Sequence, residues 1–389
     1  GAEPMATITK TFTRAYGLDE IALVPSNRTL DMELVDISTT IGGVKLDIPI
    51  IASAMDSVVD TKTATELGNH GSVGVLNLEG VQTRYENPEN VLKQISSVSK
   101  ADYVELMQKI YKENDVKDEL VLKRIKDIKA SGVPCFVSST PQNAVRFGKL
   151  AEEAKADVFI VQSTVVSTHF ITKDKSKNLD LSVFCKSMSI PVLVGNSTTT
   201  EVTLDLMRMG VQGIFIGIGP GAACTTRGVL AIGVPMATAI LNGVAARNAY
   251  FEESGRYVPI IADGGIVNSG DICKALACGA DAVMIGSPIA KASEAPGNGF
   301  HWGMATPNAV LPRGARINVG TNGTLKEILH GPSNTDDGSQ NFSGAIQTAF
   351  ATLGAANIKE MHDAEVVIAP SLLTEGKVYQ KAQSLGMYK

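Results

Sequence analysis

Eight short apolar runs, each closed by small polar residues, set the strongest limit on what this chain can fold into. They are IPIIASAM (48–55), VGVLNLE (73–79), PCFVSST (134–140), DVFIVQST (157–164), PVLVGNST (191–198), GIFIGIG (213–219), PIIADGG (259–265) and AVMIGSP (282–288). Each is rich in Val and Ile and too short for a buried helix. Such near-continuous runs are the pattern of a strand buried on both faces. Most lead into a helical stretch, as in TTEVTLDLMRMG (199–210) and SGDICKALACGA (269–280). Strands alternating with helices imply βαβ units and a parallel sheet. A doubly wound sheet also alternates, but eight strands close a barrel, and barrel enzymes place their chemistry at the C-terminal strand ends, where these runs turn polar. The expected fold is a (β/α)8 TIM barrel.

With 389 residues and 44% hydrophobic side chains, the chain can bury such a core as one catalytic domain over residues 5–389. Gly1-Ala2-Glu3-Pro4, ahead of Met5, reads as an expression scar. Two stretches break the rhythm. Residues 81–131 are charged and helical and read as an insertion. Residues 291–345 are rich in Gly, Pro and Asn and read as a long active-site loop that returns to helix near Gly344–Leu353.

Composition removes several function classes. A net charge of −5 without a basic stripe argues against nucleic-acid binding. No apolar run is long enough to span a bilayer, so no membrane segment is expected. Five cysteines without a CxxC pair fit a reducing cytoplasm rather than a disulfide framework. Five scattered histidines offer no zinc cluster.

The sharpest chemical feature follows the sixth run: Gly217-Ile218-Gly219-Pro220-Gly221-Ala222-Ala223-Cys224-Thr225-Thr226-Arg227. Its glycines permit a tight loop. A cysteine on that loop sits at the barrel mouth, where its thiolate can act as a nucleophile. A cysteine taken at random is more often a buried small residue, and Cys135, Cys185, Cys273 and Cys278 read that way. The seventh and eighth runs end in Asp263-Gly264-Gly265 and Gly286-Ser287. Loops at those two strands form the phosphate site of many barrels, and Asp263 can accept hydrogen bonds from ribose hydroxyls. Either pair alone is also ordinary turn chemistry; both in the expected loops point to a nucleotide.

Taken in order, LDEIALVP (18–25), SAMD (53–56), VGN (194–196), GPGAACTTR (219–227), ADGGI (262–266), MIGS (284–287) and HWGM (301–304) resemble the IMP dehydrogenase/GMP reductase family over nearly the whole chain. The nearest likeness is to its bacterial members without the tandem regulatory domain, whose place the 81–131 helices take. The resemblance implies that Cys224 attacks C2 of a purine mononucleotide (IMP, XMP or GMP). It implies that Asp263, Gly264, Gly265, Gly286 and Ser287 hold ribose and phosphate, with Ser53, Met55, Asn196, Ala222, Gly303 and Met304 lining the nucleotide pocket. Gln162, Ser163 and Thr164, with Gly217 and Gly219, fall where the family meets its nicotinamide cofactor. Carbonyls of Gly219, Gly221 and Cys224 match a monovalent-cation (potassium) site that Glu375 and Gly376 of a neighbouring copy complete, which implies a homo-oligomer, a tetramer.

Three positions and one segment depart from the family pattern. Ala222 replaces a phosphate-binding Ser and Gln162 replaces an acid. The flap after Met304 is short and lacks an Arg-Tyr pair, and Arg313 stands where Glu or Gln is expected before Gly314. A reductase of this family uses a carboxylate there. The reading is therefore an NAD-dependent IMP dehydrogenase, with Arg313, or in second place Arg316, activating water and Thr226 as relay. GMP reductase with NADPH is the alternative. A nucleotide-binding regulator without catalysis and a flavin-dependent barrel oxidoreductase stand further off, because neither needs a cysteine at 224.

Overall fold

The computed structural model describes Gly1, residues 9–304 and residues 315–389. Eight parallel strands close into a barrel in chain order: β1 (Ile50–Ala52), β2 (Val73–Asn77), β3 (Phe136–Ser139), β4 (Val158–Gln162), β5 (Val192–Ser197), β6 (Ile214–Ile216), β7 (Ile260–Asp263) and β8 (Ala282–Ile285). β8 returns to β1 with Ile285 opposite Ala52. All eight apolar runs became barrel strands, and the expected TIM barrel is the fold. The runs are continuous because both faces are buried. Ile51, Val75, Phe136, Ile160, Phe215 and Met284 fill the interior, while Ile50, Val137, Val161 and Val194 pack outward against the helices.

A hairpin, Thr39–Ile41 with Val44–Leu46, closes the end of the barrel opposite the strands' C-termini. Its Ile41 and Leu46 are buried among the interior residues, and Gly42 abuts Val158 and Leu193. A second short sheet ties Ile21–Val24 antiparallel to Glu365–Ile368. Among the described residues no helix is long and apolar enough to cross a membrane.

The charged 81–131 stretch divides in two. Helix Asp118–Ala130 packs between Thr61–Asn69 and Ala144–Glu153, as a member of the ring around the barrel. The helices Pro88–Ser97 and Tyr103–Lys112 instead make a separate hairpin. Pro88 opens its first helix at the position where a missing N–H costs nothing. Val91, Leu92, Ile95, Met107 and Ile110 form an apolar cluster with Val81 and Trp302. That cluster fastens the hairpin to the antiparallel pair Phe300–Trp302 and Arg316–Asn318, which flanks residues 305–314 in sequence.

Arg316 is the clasp. Its Nη1 donates to the carbonyls of Ile95 (2.7 Å) and Val98 (2.8 Å) at the end of the first hairpin helix. Its guanidinium lies 4.6 Å from the Phe300 ring centre and 5.4 Å from that of Tyr103. An arginine spent on helix-end carbonyls and two aromatic faces is not a water-activating base, so the second-place role given to Arg316 is withdrawn. Arg316→Ala is expected to cost about 1–2 kcal/mol, from lost hydrogen bonds and cation–π contact. It should appear as a lower thermal midpoint, with protease cleavage first between residues 88 and 112. An unchanged midpoint would show that the hairpin holds without its clasp.

Candidate active site

A cavity of about 700 Å³ opens at the C-terminal ends of the strands. Its walls follow the strand order. β1 supplies Ser53 and Met55. Gln162, Ser163 and Thr164 come from the end of β4, Asn196 from β5, and Gly217, Gly219, Gly221, Ala222, Cys224 and Thr226 from the loop after β6. Asp263, Gly264 and Gly265 end β7, Gly286 and Ser287 follow β8, and Gly303 and Met304 lie beyond. Every one of these residues was singled out in the sequence. Glu375 and Gly376 are exposed and line no part of the cavity, and Arg313 lies outside the described residues.

The loops after β6 and β7 interlock, and this demands two of their glycines. Gly217 has φ +137°, and a Cβ there would come 2.3 Å from the carbonyl oxygen of Asp263. Gly265 has φ +73°, and a Cβ would meet Pro220 at 2.9 Å. The Asp263 backbone against Gly217 and the Pro220 ring against Gly265 thus set the cysteine loop against the β7 loop. Cys224 N–H donates to Gly221 O (3.0 Å), and the thiol donates to the Thr226 hydroxyl at 3.2 Å. Arg227 braces the same loop through Ile218 O and Val234 O. Ala315 N–H donates to Ala223 O at 3.2 Å, returning the chain to this loop after the undescribed residues. The other cysteines are different. Burial pushes the thiols of Cys135 and Cys273 up to about 12, and those of Cys185 and Cys278 to about 11.

Gln162, Asn196 and Asp263 form one hydrogen-bonded cluster. Gln162 Nε2 donates to Asn196 Oδ1 (2.8 Å) and Asp263 Oδ2 (2.9 Å). Asn196 Nδ2 donates to Gly217 O and to Asp263 Oδ2, both at 2.8 Å. Burial outweighs the two amide donors and raises Asp263 from its ordinary 3.8 to about 6. Between those values the folded protein binds the extra proton; above 6 both states are ionised and the fold carries the full cost of a partly buried carboxylate. Asp263→Asn keeps an acceptor for both amides and removes that cost. It is expected to stabilise the free protein by up to about 3 kcal/mol at pH 7.5, to gain progressively less as pH falls toward 4, and to weaken nucleotide binding. Thermal midpoints across that range check it, and a gain independent of pH would contradict the titration argument.

A second carboxylate, the fully buried Asp56, stands behind Met55. It accepts from Tyr111 Oη (2.5 Å) and Val81 N–H (2.9 Å), and burial lifts it to about 6. Trp302 Nε1 donates to Tyr111 Oη (3.2 Å), and Asp56 N–H donates to Met304 Sδ (3.3 Å). His301 pairs with Ser57 Oγ, and burial lowers it to about 4, which leaves a neutral ring beneath Gly286.

Sequence reasoning missed the far wall, formed by Glu79, Arg84, Tyr111 and Thr140. The Glu79 carboxylate is held by Thr140 N–H (2.5 Å), Thr140 Oγ1 (3.2 Å) and Asn143 Nδ2. Arg84 is fixed by its Nε to Glu79 O and its Nη1 to Asn114 O. Glu79 had a legible signal, a charge two residues past a barrel strand. Tyr111 had no such signal, because it enters from the helical hairpin.

The IMP dehydrogenase/GMP reductase domain model matches residues 15–378. An uncharacterized oxidoreductase of Mycolicibacterium smegmatis is 36% identical over 360 residues, covering 90% of this chain and 96% of the relative. Inosine-5′-monophosphate dehydrogenase of Methanocaldococcus jannaschii is 26% identical, covering 92% and 93%. The crystal structure of an IMP dehydrogenase/GMP reductase-like protein from Corynebacterium glutamicum superposes with a TM-score of 0.86 at 33% identity, over 93% of this chain and 96% of that one. With its barrel, its cysteine loop and these likenesses, this chain belongs to the IMP dehydrogenase/GMP reductase family of oxidoreductases.

Proposed function

We propose that the protein oxidises IMP to XMP through a bond between Cys224 and C2 of the purine. The observation that carries this reading is the Cys224 thiol, paired with Thr226 at 3.2 Å, in one cavity with Asp263 and the glycine loops after β7 and β8. The thiolate adds to C2, and loss of hydride from that carbon leaves the base joined to sulfur. Attack of water then breaks the C–S bond, gives XMP and returns the thiol. Asp263 and Asn196 face the ribose, Gly264, Gly265, Gly286, Ser287 and Ser53 the phosphate, and Met55, Gly303 and Met304 the base. Thr226 relays a proton, and Arg313 is the water-activating group. Ala315, two residues on, is bonded to the Cys224 loop.

NAD, when bound, supplies the hydride acceptor. The cavity extends beyond these residues past Ser163 and Thr164 to the far wall of Glu79 and Thr140, which gives a second ligand room and hydrogen-bond partners. A potassium-like cation fits the loop in part. The carbonyls of Gly219 and Cys224 accept no hydrogen bond among the described residues, while that of Gly221 is used by Cys224 N–H. Glu375 and Gly376 of a neighbouring copy complete the set in this reading, so a tetramer belongs to it.

A second reading, GMP reductase, is favoured by one observation: the fixed Glu79 carboxylate offers an acid for a leaving amine. One assay separates the two. Purified protein is given IMP with NAD, or GMP with NADPH, and products are identified by chromatography. XMP and NADH support the first reading. IMP and ammonia from GMP would replace it with the second.

A further inference from the structure

Resting on the reading of this site as a purine ribonucleotide site, the hydrogen bonds around Gln162 assign that residue a different partner from the one its position in the chain suggests. Both hydrogens of its amide are spent inside the protein, one on Asn196 Oδ1 and one on Asp263 Oδ2. The amide orientation is therefore set: reversing it would turn the carbonyl toward two acceptors. Asp263 Oδ2 is saturated from the other side by Asn196 Nδ2. Two acceptors of the cluster remain, Gln162 Oε1 and Asp263 Oδ1. Neither accepts a hydrogen bond among the described residues, neither is a buried atom left without a partner, and both belong to residues that line the cavity. The strands hold them together, since Gln162 pairs in register with Gly195, directly before Asn196.

Two fixed acceptors joined through one N–H···O link suit a group with two adjacent donors, a vicinal diol. A glutamate in the pose of Gln162 would not serve. It would lie 2.9 Å from Asp263 Oδ2, and two such carboxylates must share a proton. The neutral amide lets Asp263 be an anion and adds an acceptor of its own.

We propose that Gln162 is a specificity residue for the nucleotide: with Asp263 it reads the two ribose hydroxyls, so that the site selects ribonucleotides over 2′-deoxyribonucleotides. A site built around hydrogen-bonding hydroxyls rejects an analogue lacking one, because its acceptor is left dry and unpaired.

The test is calorimetric titration of the full-length protein, without cofactor, with IMP and with 2′-deoxy-IMP. The parent protein is expected to bind IMP at least about tenfold more tightly. In Gln162→Leu, of similar size but without the amide, the two affinities should come within about threefold, mainly through weaker IMP binding. Gln162→Glu guards against a Leu variant that does not fold: it should bind both nucleotides poorly at pH 8 and recover part of the preference for IMP near pH 6, where the pair shares a proton. Equal binding of the two nucleotides by the parent protein, or a preference that survives in Gln162→Leu, overturns this inference and leaves the reading of the site standing. Failure of the parent protein to bind IMP at all overturns both.

Discussion

Cys224→Ser is expected to lower turnover by about a thousandfold or more while leaving nucleotide binding within a few-fold of the parent. The substitution changes one atom, so the cavity walls, Asp263 and the phosphate loops stay as they are. It replaces sulfur, a soft and strong nucleophile, with a hydroxyl oxygen that attacks poorly without a strong base beside it. Nothing nearby compensates. Thr226 is the only hydroxyl bonded to the sulfur among the described residues, and the other cysteines are held protonated by burial. Steady-state turnover and the nucleotide-induced rise in thermal midpoint give the two readouts. Turnover within tenfold of the parent would remove Cys224 as the nucleophile. Loss of both readouts would mean that the loop itself had collapsed.

The largest stability effect is expected at the far end of the barrel, away from the chemistry. Asp281, just before β8, and Arg247, in helix Met236–Ser254, form an ion pair at 2.7 Å with side chains 8% and 4% exposed. Asp281 also accepts from Tyr257 Oη (2.5 Å) and Ile260 N–H (2.9 Å), and Arg247 donates to Gly279 O (2.7 Å). Arg247 Nε already lacks a partner. Asp281→Ala would leave a buried guanidinium uncompensated and two further donors unpaired, at a cost of about 3–5 kcal/mol. The thermal midpoint should fall by roughly 4–6 °C, with turnover retained below the transition. Replacing both partners by leucine should cost less than the sum of the two single changes, because no charge is left stranded. A single variant within 1 °C of the parent would show that the pair contributes little.

What could be read from the chain and what could not divide along a physical line. The strands were legible because a strand buried on both faces leaves an uninterrupted apolar run, and all eight did. The cysteine loop and the Asp-Gly-Gly turn were legible because a backbone forced to φ above zero against another backbone must be glycine. Gln162 was found by position, yet its partners were not, since they come from β5 and β7 and only closure of the barrel brings them together. Tyr111 and Arg316 were beyond reach for the same reason. Each acts through a helical hairpin whose docking on Trp302 and Phe300 leaves no periodic signature. Glu79 was within reach, because it lies two residues past β2, at the strand ends where barrel enzymes place their chemistry.

The account stands on a covalent bond between Cys224 and C2 of the purine. The direct measurement is mass spectrometry of the acid-quenched, proteolysed protein after brief mixing with NAD and IMP carrying deuterium at C2. The account predicts a purine monophosphate attached to the peptide containing Cys224, free of deuterium because hydride has left C2, and no such adduct in Cys224→Ser. Steady conversion of IMP with no adduct on that peptide, or an adduct on another cysteine, would contradict it.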